Sequence, residues 1–266
     1  MLLRPFTKMQ GAGNDYVYID CRENTPENPG ELAKRVSNRH FGIGSDGLVL
    51  ILPPLNSENH ARMQMFNADG SEAEMCGNAI RCVARFVREK WNLTAAPLKI
   101  ETKAGVKTIQ TKNGENGFLA AVDMGEPVLE GEATLNGKLF TKISMGNPHA
   151  VTFVDKVANA PVLTEGPVLE MDKEFPKKSN IEFVEYLNSK HIKMRVWERG
   201  AGETLACGTG ACAAAVAAIL NRGAERTLTV ELLGGNLIIE WNSETNRIIM
   251  TGPAEFVFEG DLCVSR

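Results

Sequence analysis

The chain has 266 residues, of which 43% are hydrophobic and 23% charged, and carries a formal net charge of −4. These values describe a globular protein of one large or two ordinary domains and exclude a disordered chain or a disulfide scaffold: six cysteines, at 21, 76, 82, 207, 212 and 263, are too sparse for one. The mild negative charge argues against nucleic acid or an anionic membrane as partner, and no apolar run has signal-peptide or spanning length, so a cytoplasmic location with reduced thiols is expected.

In chain order, residues 6–20 read as the first member of a strand pair, interrupted by Gly11-Ala12-Gly13-Asn14-Asp15, residue types that supply the positive φ angles of a turn. Asn28-Pro29-Gly30-Glu31 opens a helix, with Leu32 and Val36 facing inward and Gly42 as its end. Gly42-Ile43-Gly44-Ser45-Asp46-Gly47 matches a GxGxxG pattern, but it follows a helix and precedes the apolar run Leu48–Leu52. A dinucleotide turn needs the reverse order, so that reading is dismissed. After Cys76, the run NAIRCVARFVRE puts Ile80, Val83, Ala84 and Val87 on one helical face and Arg81, Arg85 and Arg88 on the other, which reads as a solvated stripe. Residues 98–122 and 227–258 carry short β-rich runs of antiparallel type. Gly125 and Pro127 mark a boundary, giving halves 1–122 and 123–252; the segment from about 253 to 266 can return to the first half.

In the second half, Thr204–Leu220 reads TLACGTGACAAAVAAIL, a helix apolar on every side and therefore buried, with Cys207 at its amino end. Gly208-x-Gly210-x-x-Ala213 also resembles a dinucleotide turn, although the strand-like run before it ends some residues too early. The unpaired N–H groups and partial positive charge of a helix start favour a thiolate or a bound carboxylate. The alternative for Cys207 is a buried structural cysteine.

A second copy of this segment bears on that choice. Residues 63–79, MQMFNADGSEAEMCGNA, align without gaps on residues 194–210, MRVWERGAGETLACGTG, so Cys76-Gly77 falls on Cys207-Gly208. Upstream, FTKMQGAGNDYVYID resembles FTKISMGNPHAVTFVD, with Gly13-Asn14 opposite Gly146-Asn147. Two similar half-domains, each offering a helix-capping cysteine, imply two thiols facing each other across a cleft.

Zinc is poorly served by the Cys76/Cys82 and Cys207/Cys212 spacings, a redox pair would want C-x-x-C, and nucleophilic catalysis would leave one copy unexplained. Two-base proton exchange at one carbon uses both copies: one sulfur removes a proton as thiolate while the other delivers one as thiol. Two close thiols cannot both ionise cheaply, so their pKa values split. The N–H groups of Gly77, Asn78, Gly208 and Thr209 would then stabilise the carboxylate on which charge develops.

The stretches GAGNDYVYID, FNADGSEAEMCGNAIRCVARF, MGNPHAV and ERGAGETLACGTGACAAA, with the two-half layout, closely resemble the diaminopimelate epimerase family over nearly the whole chain. The resemblance implies an α+β fold of two pseudo-twofold-related domains, each a mixed or antiparallel β-sheet curled round a central helix. It also implies interconversion of LL- and meso-2,6-diaminopimelate for lysine and peptidoglycan synthesis, with no cofactor and no metal, in a homodimer. By position, Cys76 and Cys207 are the bases and Gly77, Asn78, Gly208 and Thr209 the oxyanion donors; Asn14 meets the reacting end of the substrate. Asn67, Asn147, Asn180, Glu198 and Arg199 hold the distal end, and His149 and Glu198 tune the thiols. An ammonium needs acceptors and a carboxylate suits a guanidinium fork, so the distal set is chemically coherent. Taken singly, Asn67 and Asn180 read as exposed turn residues. Gly47 stands where some members have a substrate-contacting glutamine, and Phe258 where some have a dimer-linked tyrosine. A proline racemase-like enzyme shares the two-thiol logic, and a non-catalytic amino-acid binder or thiol switch would use the same cleft; Arg199 and the surrounding asparagines favour the longer diacid diamine.

Overall fold

A computed structural model describes residues 2–114 and 117–264. The chain divides into two compact units, Met1–Val122 together with Gly252–Arg266, and Asp123–Thr251. The first contains β1 (Leu2–Gly11), β2 (Asn14–Asp20), α1 (Pro29–Ser37), β3 (Gly47–Leu52), β4 (Ala61–Asn67), β5 (Glu72–Ala73), α2 (Gly77–Lys90), β6 (Leu98–Thr102) and β7 (Gly105–Gly114). The chain leaves it within β8 (Gly117–Gly125). The second contains β9 (Val128–Leu135), β10 (Lys138–Ser144), β11 (Pro148–Phe153), α3 (Val162–Glu170), β12 (Asn180–Asn188), β13 (His191–Glu198), β14 (Gly202–Glu203), α4 (Gly208–Arg222), β15 (Thr227–Leu232) and β16 (Gly235–Trp241). The return runs within β17 (Ile248–Pro253), and β18 (Glu255–Val264) pairs antiparallel with β1. No helix among the described residues is long and apolar enough to cross a membrane.

From β1 to β8 and again from β10 to β17 the units repeat the order ββαβββαβββ, and the repeat extends to register. β2 and β3 are parallel with Tyr16 beside Gly47, as β11 and β12 are with His149 beside Asn180. Phe66 pairs with Glu72 between β4 and β5, and Trp197 with Glu203 between β13 and β14. The central helices are α2 and α4. In the first unit α2 contacts β1, β2, β4 and β7, while α1 covers β3. A strand covered on both faces should be apolar throughout, and all six residues of β3, GLVLIL, are buried. In the second unit α4 touches β10, β11, β12, β13, β15 and β16 and is buried from Gly210 to Ala218. Each helix is thus wrapped by the strands of its own unit. Satellite cores lie under α1 (Val17, Ile19, Leu48, Leu50, Phe66) and α3 (Phe140, Ala150, Val162, Ile181, Phe183).

Three local readings change. The first helix stops at Ser37, not Gly42, because the Asn38 side chain accepts from His40 N and Phe41 N, each at 2.9 Å, and so folds the chain out of the helix. Asn180 is no turn residue; it begins β12 and is buried. The arginine stripe of α2 is not solvated. Arg81 is fully buried, Arg85 Nη1 donates to Ala254 O at 2.6 Å with its guanidinium over Phe118 and Phe256, and Arg88 Nε donates to Thr111 Oγ1 at 2.9 Å. The wrapped sheet reaches round to the polar face of α2, and the long side chains find carbonyls there.

Burial holds the Cys21 and Cys82 thiols up at about 11, and buried Tyr18 also sits well above the usual phenol range. The folded chain keeps these protons at a pH where the unfolded chain has released them. Stability is therefore whole below the ordinary thiol pKa and falls as the pH rises from about 9 towards 11. Urea unfolding at pH 7.5, 9 and 10.5 is expected to show a loss of several kcal/mol over that range, and Cys82→Ala should shrink the loss.

Candidate functional site

In the second unit Cys207 is the N-cap of α4, in extended conformation (φ −114°, ψ 109°), and its Sγ accepts from Gly210 N at 3.4 Å. Thr209 Oγ1 lies 3.6 Å from the same sulfur and accepts from Asn147 Nδ2 at 3.3 Å. Asn147 Oδ1 lies 3.0 Å from His149 Nε2, and His149 Nδ1 is 2.6 Å from Glu182 Oε1. His149 and Glu182 are both withdrawn from solvent. Glu198 takes a hydrogen bond from Thr204 Oγ1 and also contacts the Cys207 thiol.

A helix start alone would depress the Cys207 pKa. Here it is raised well above the usual thiol range, first by burial and then by the Glu198 and Glu182 charges, which together outweigh the Thr209 hydroxyl and Gly210 N–H. Burial likewise raises Glu198 against the hydrogen bonds from Thr204 and Cys207. The expectation that the helix end leaves Cys207 acidic is thus corrected by its dry, carboxylate-lined surroundings.

In the first unit Cys76 is the N-cap of α2 (φ −132°, ψ 124°) and only partly buried. Its Sγ lies 3.4 Å from Asn14 Oδ1, which also accepts from Asn78 Nδ2 at 3.3 Å. Asn14 follows the hairpin turn at Ala12 and Gly13, whose φ angles of 56° and 81° join β1 to β2. Gly77 and Asn78 form the first turn of α2 and are buried, as is Gly208 at the start of α4.

Asn14, Cys76, Gly77 and Asn78 are therefore gathered in one unit, and Asn147, His149, Glu198, Cys207, Gly208 and Thr209 in the other. Asn180 and Arg199 form a pair beside the second group. Arg199 N donates to Asn180 Oδ1 at 2.9 Å, Asn180 Nδ2 donates to Pro148 O at 2.8 Å, and the exposed Arg199 guanidinium reaches Lys177 O. Asn67 stands apart from the Cys76 group: exposed at the end of β4, it donates to Ser71 Oγ at 3.0 Å. Register places it opposite Gly47, where an added Cβ would lie 2.1 Å from Phe66 O, so no side chain fits at position 47.

Sequence reasoning passed over Glu182 and Gly210. The signal for the first was a lone acid among Ile181, Phe183 and Val184, a buried strand that tolerates a carboxylate only with a partner. Gly210 is needed for close approach, since a Cβ there would meet Glu182 Oε1 at 2.8 Å and Cys207 Sγ at 3.2 Å. Gly210→Ala is expected to cost about 1–3 kcal/mol of stability by overpacking and, by displacing the sulfur, about 10²-fold in kcat/KM. Urea unfolding and steady-state kinetics check both.

Fold and site define a class: α+β proteins of two like units, each wrapping a sheet round a helix whose N-cap is a cysteine. The chain belongs to the diaminopimelate epimerase family, whose model matches residues 6–130 and 141–257. It is 53% identical to a diaminopimelate epimerase of Methanococcus maripaludis (strain C5), over 97% of this chain and 99% of that one. It is likewise 53% identical to one of Acetivibrio thermocellus, over 97% and 98%. A Bacillus anthracis phenazine biosynthesis protein of the PhzF family shares the fold, with a TM-score of 0.78 at 20% identity over 99% of this chain and all of that chain.

Proposed function

We propose that the protein interconverts LL- and meso-2,6-diaminopimelate by moving a proton at one α-carbon between two sulfurs, with no cofactor, in the supply of lysine and peptidoglycan precursors. The observation that carries this reading is the paired use of cysteine as helix N-cap, once in each unit of a chain of this family. One sulfur, as thiolate, takes the α-hydrogen as a proton and leaves its electron pair on the substrate. The pair delocalises onto the α-carboxylate, where the N–H groups of Gly77, Asn78, Gly208 and Thr209 stabilise it more than they stabilise the ground state. The opposite thiol then delivers its proton to the other face, and the configuration inverts.

Asn14 binds the reacting end. Asn67, Asn147, Asn180, Glu198 and Arg199 hold the distal ammonium and carboxylate, with the exposed Arg199 guanidinium as the carboxylate's partner. His149 and Glu198 set the proton affinity of Cys207. The same reading makes the protein a cytoplasmic homodimer, and Val257 and Phe258 on β18 offer it exposed apolar surface. The test is turnover in D2O: deuterium should enter the α-position of diaminopimelate, and both epimers should appear from either one. Deuterium in proline and none in diaminopimelate would point to a racemase of cyclic amino acids instead; no exchange in either would leave an amino-acid binder.

A further inference from the structure

The Gly42–Gly47 stretch, whose glycine spacing suits no dinucleotide, is built as a bracket. Lys8 Nζ donates to Gly44 O, Ser45 Oγ donates to Gly47 O at 2.9 Å, and Ser45 N donates to Ser37 O at 3.1 Å. Gly44 holds φ at 81° against Arg39, a conformation a side chain would strain. What the bracket presents is Asp46, whose own N–H is bonded to Asp15 O at 2.7 Å. Its Oδ2 accepts from Asn14 Nδ2 at 2.7 Å and from Asp15 N at 3.0 Å, and its Oδ1 accepts from Arg39 Nη2 at 3.0 Å.

All three of these groups are donors, and a carboxylate can only accept. The amino end of the Asn14 amide must therefore point at Asp46, and its carbonyl end must point the other way, at Cys76 Sγ and Asn78 Nδ2. We infer that Asp46 is a positioning residue: it determines that Asn14 presents an acceptor, not a donor, to Cys76 and to whatever lies beside that sulfur. Two consequences follow. The Cys76 thiol has in Asn14 Oδ1 an acceptor for its proton, and an incoming ammonium group meets a carbonyl already aimed to receive it. When the ammonium takes that carbonyl, the acceptor that favoured the S–H form is engaged elsewhere and the sulfur is freer to act as base.

Two titratable groups that bear on Cys76 are Tyr18 and Cys82, both kept neutral by burial; Lys8 and Arg39 lie beyond Asp46, each paired with Asp15. The inference builds on Cys76 being one of the two bases, yet its test reads the sulfur itself and not turnover, so the two can fail separately. The experiment is iodoacetamide alkylation of the ligand-free protein across pH, followed at the Cys76 peptide by mass spectrometry, with exposed Cys263 as reference in the same samples. In Asp46→Leu the Asn14 amide is free to turn its amino end to the sulfur. The alkylation midpoint of Cys76 should then fall by about one pH unit, roughly tenfold more thiolate at a given pH, as expected when an acceptor is exchanged for a donor. In Asp46→Asn, which keeps an acceptor of about half the strength, the fall should be smaller and in the same direction. A purely structural role for Asp46 would lower the melting temperature without moving the midpoint. A Cys76 profile that coincides with wild type in whichever variant folds overturns the inference.

Discussion

Cys76→Ala and Cys207→Ala are each expected to lower the rate of epimerisation by about 10³-fold or more, within the range that positioned acid–base groups supply. The two losses should not add in the double variant, because on the two-base reading inversion needs both sulfurs and neither half-reaction inverts alone. Each single variant keeps one sulfur on one side of the α-carbon. It can still remove and return a proton on that side, so it should wash solvent deuterium into one epimer without inverting it. Cys76→Ala and Cys207→Ala should do this to opposite epimers. Both cysteines cap helices whose interiors are otherwise well packed, and truncation at the cap removes no core methylene; circular dichroism should therefore match wild type. Inversion at the wild-type rate in either variant would end the two-base reading, and exchange of the same epimer by both would show that the sulfurs do not address opposite faces.

The second large effect is on stability. Arg81→Leu is expected to destabilise the first unit by about 3–5 kcal/mol. Arg81 is fully buried in α2; its Nε donates to Pro253 O at 3.0 Å and its Nη1 to Gly77 O at 3.2 Å. A Cβ on Gly11 would come within 3.1 Å of Nη2, so β1 is glycine where it passes the guanidinium. The side chain thus ties the helix start that carries Cys76 to the segment returning from the second unit. Leucine fills the space but leaves the carbonyls dry and without donors. Arg81→Lys keeps the charge and still fails, because one ammonium cannot reproduce the planar fork that meets two carbonyls. Urea unfolding measures both; a loss below 1 kcal/mol would mean that water or a neighbour takes over the two carbonyls.

The hydrophobic pattern and turn chemistry told much of this without coordinates. The all-apolar run after Cys207 has only one stable setting, inside a sheet, and Gly223 closes it with φ at 68°. The turn at Ala12-Gly13, the buried strand Leu48–Leu52 and the internal repeat that set Cys76 on Cys207 were all legible, because each rests on local propensity or on the identity of aligned residues. What pattern could not supply was the environment of each polar group. Arg81 reads as solvated until the wrapped sheet brings Pro253 to it from 172 residues away. α3 carries Pro167 and has no polar face to mark it as a helix, and its existence depends on packing against β12 and β13. A helix N-terminus predicts an acidic Cys207; burial, and after it the charges of Glu198 and Glu182 brought in by separate strands, reverse that. The sequence by itself determined which residues could do chemistry and how the chain is duplicated, since those follow from residue type and order. Only the tertiary structure decided proton affinities and amide orientations, since these depend on which charges and carbonyls lie within a few ångströms and on how little water lies between them.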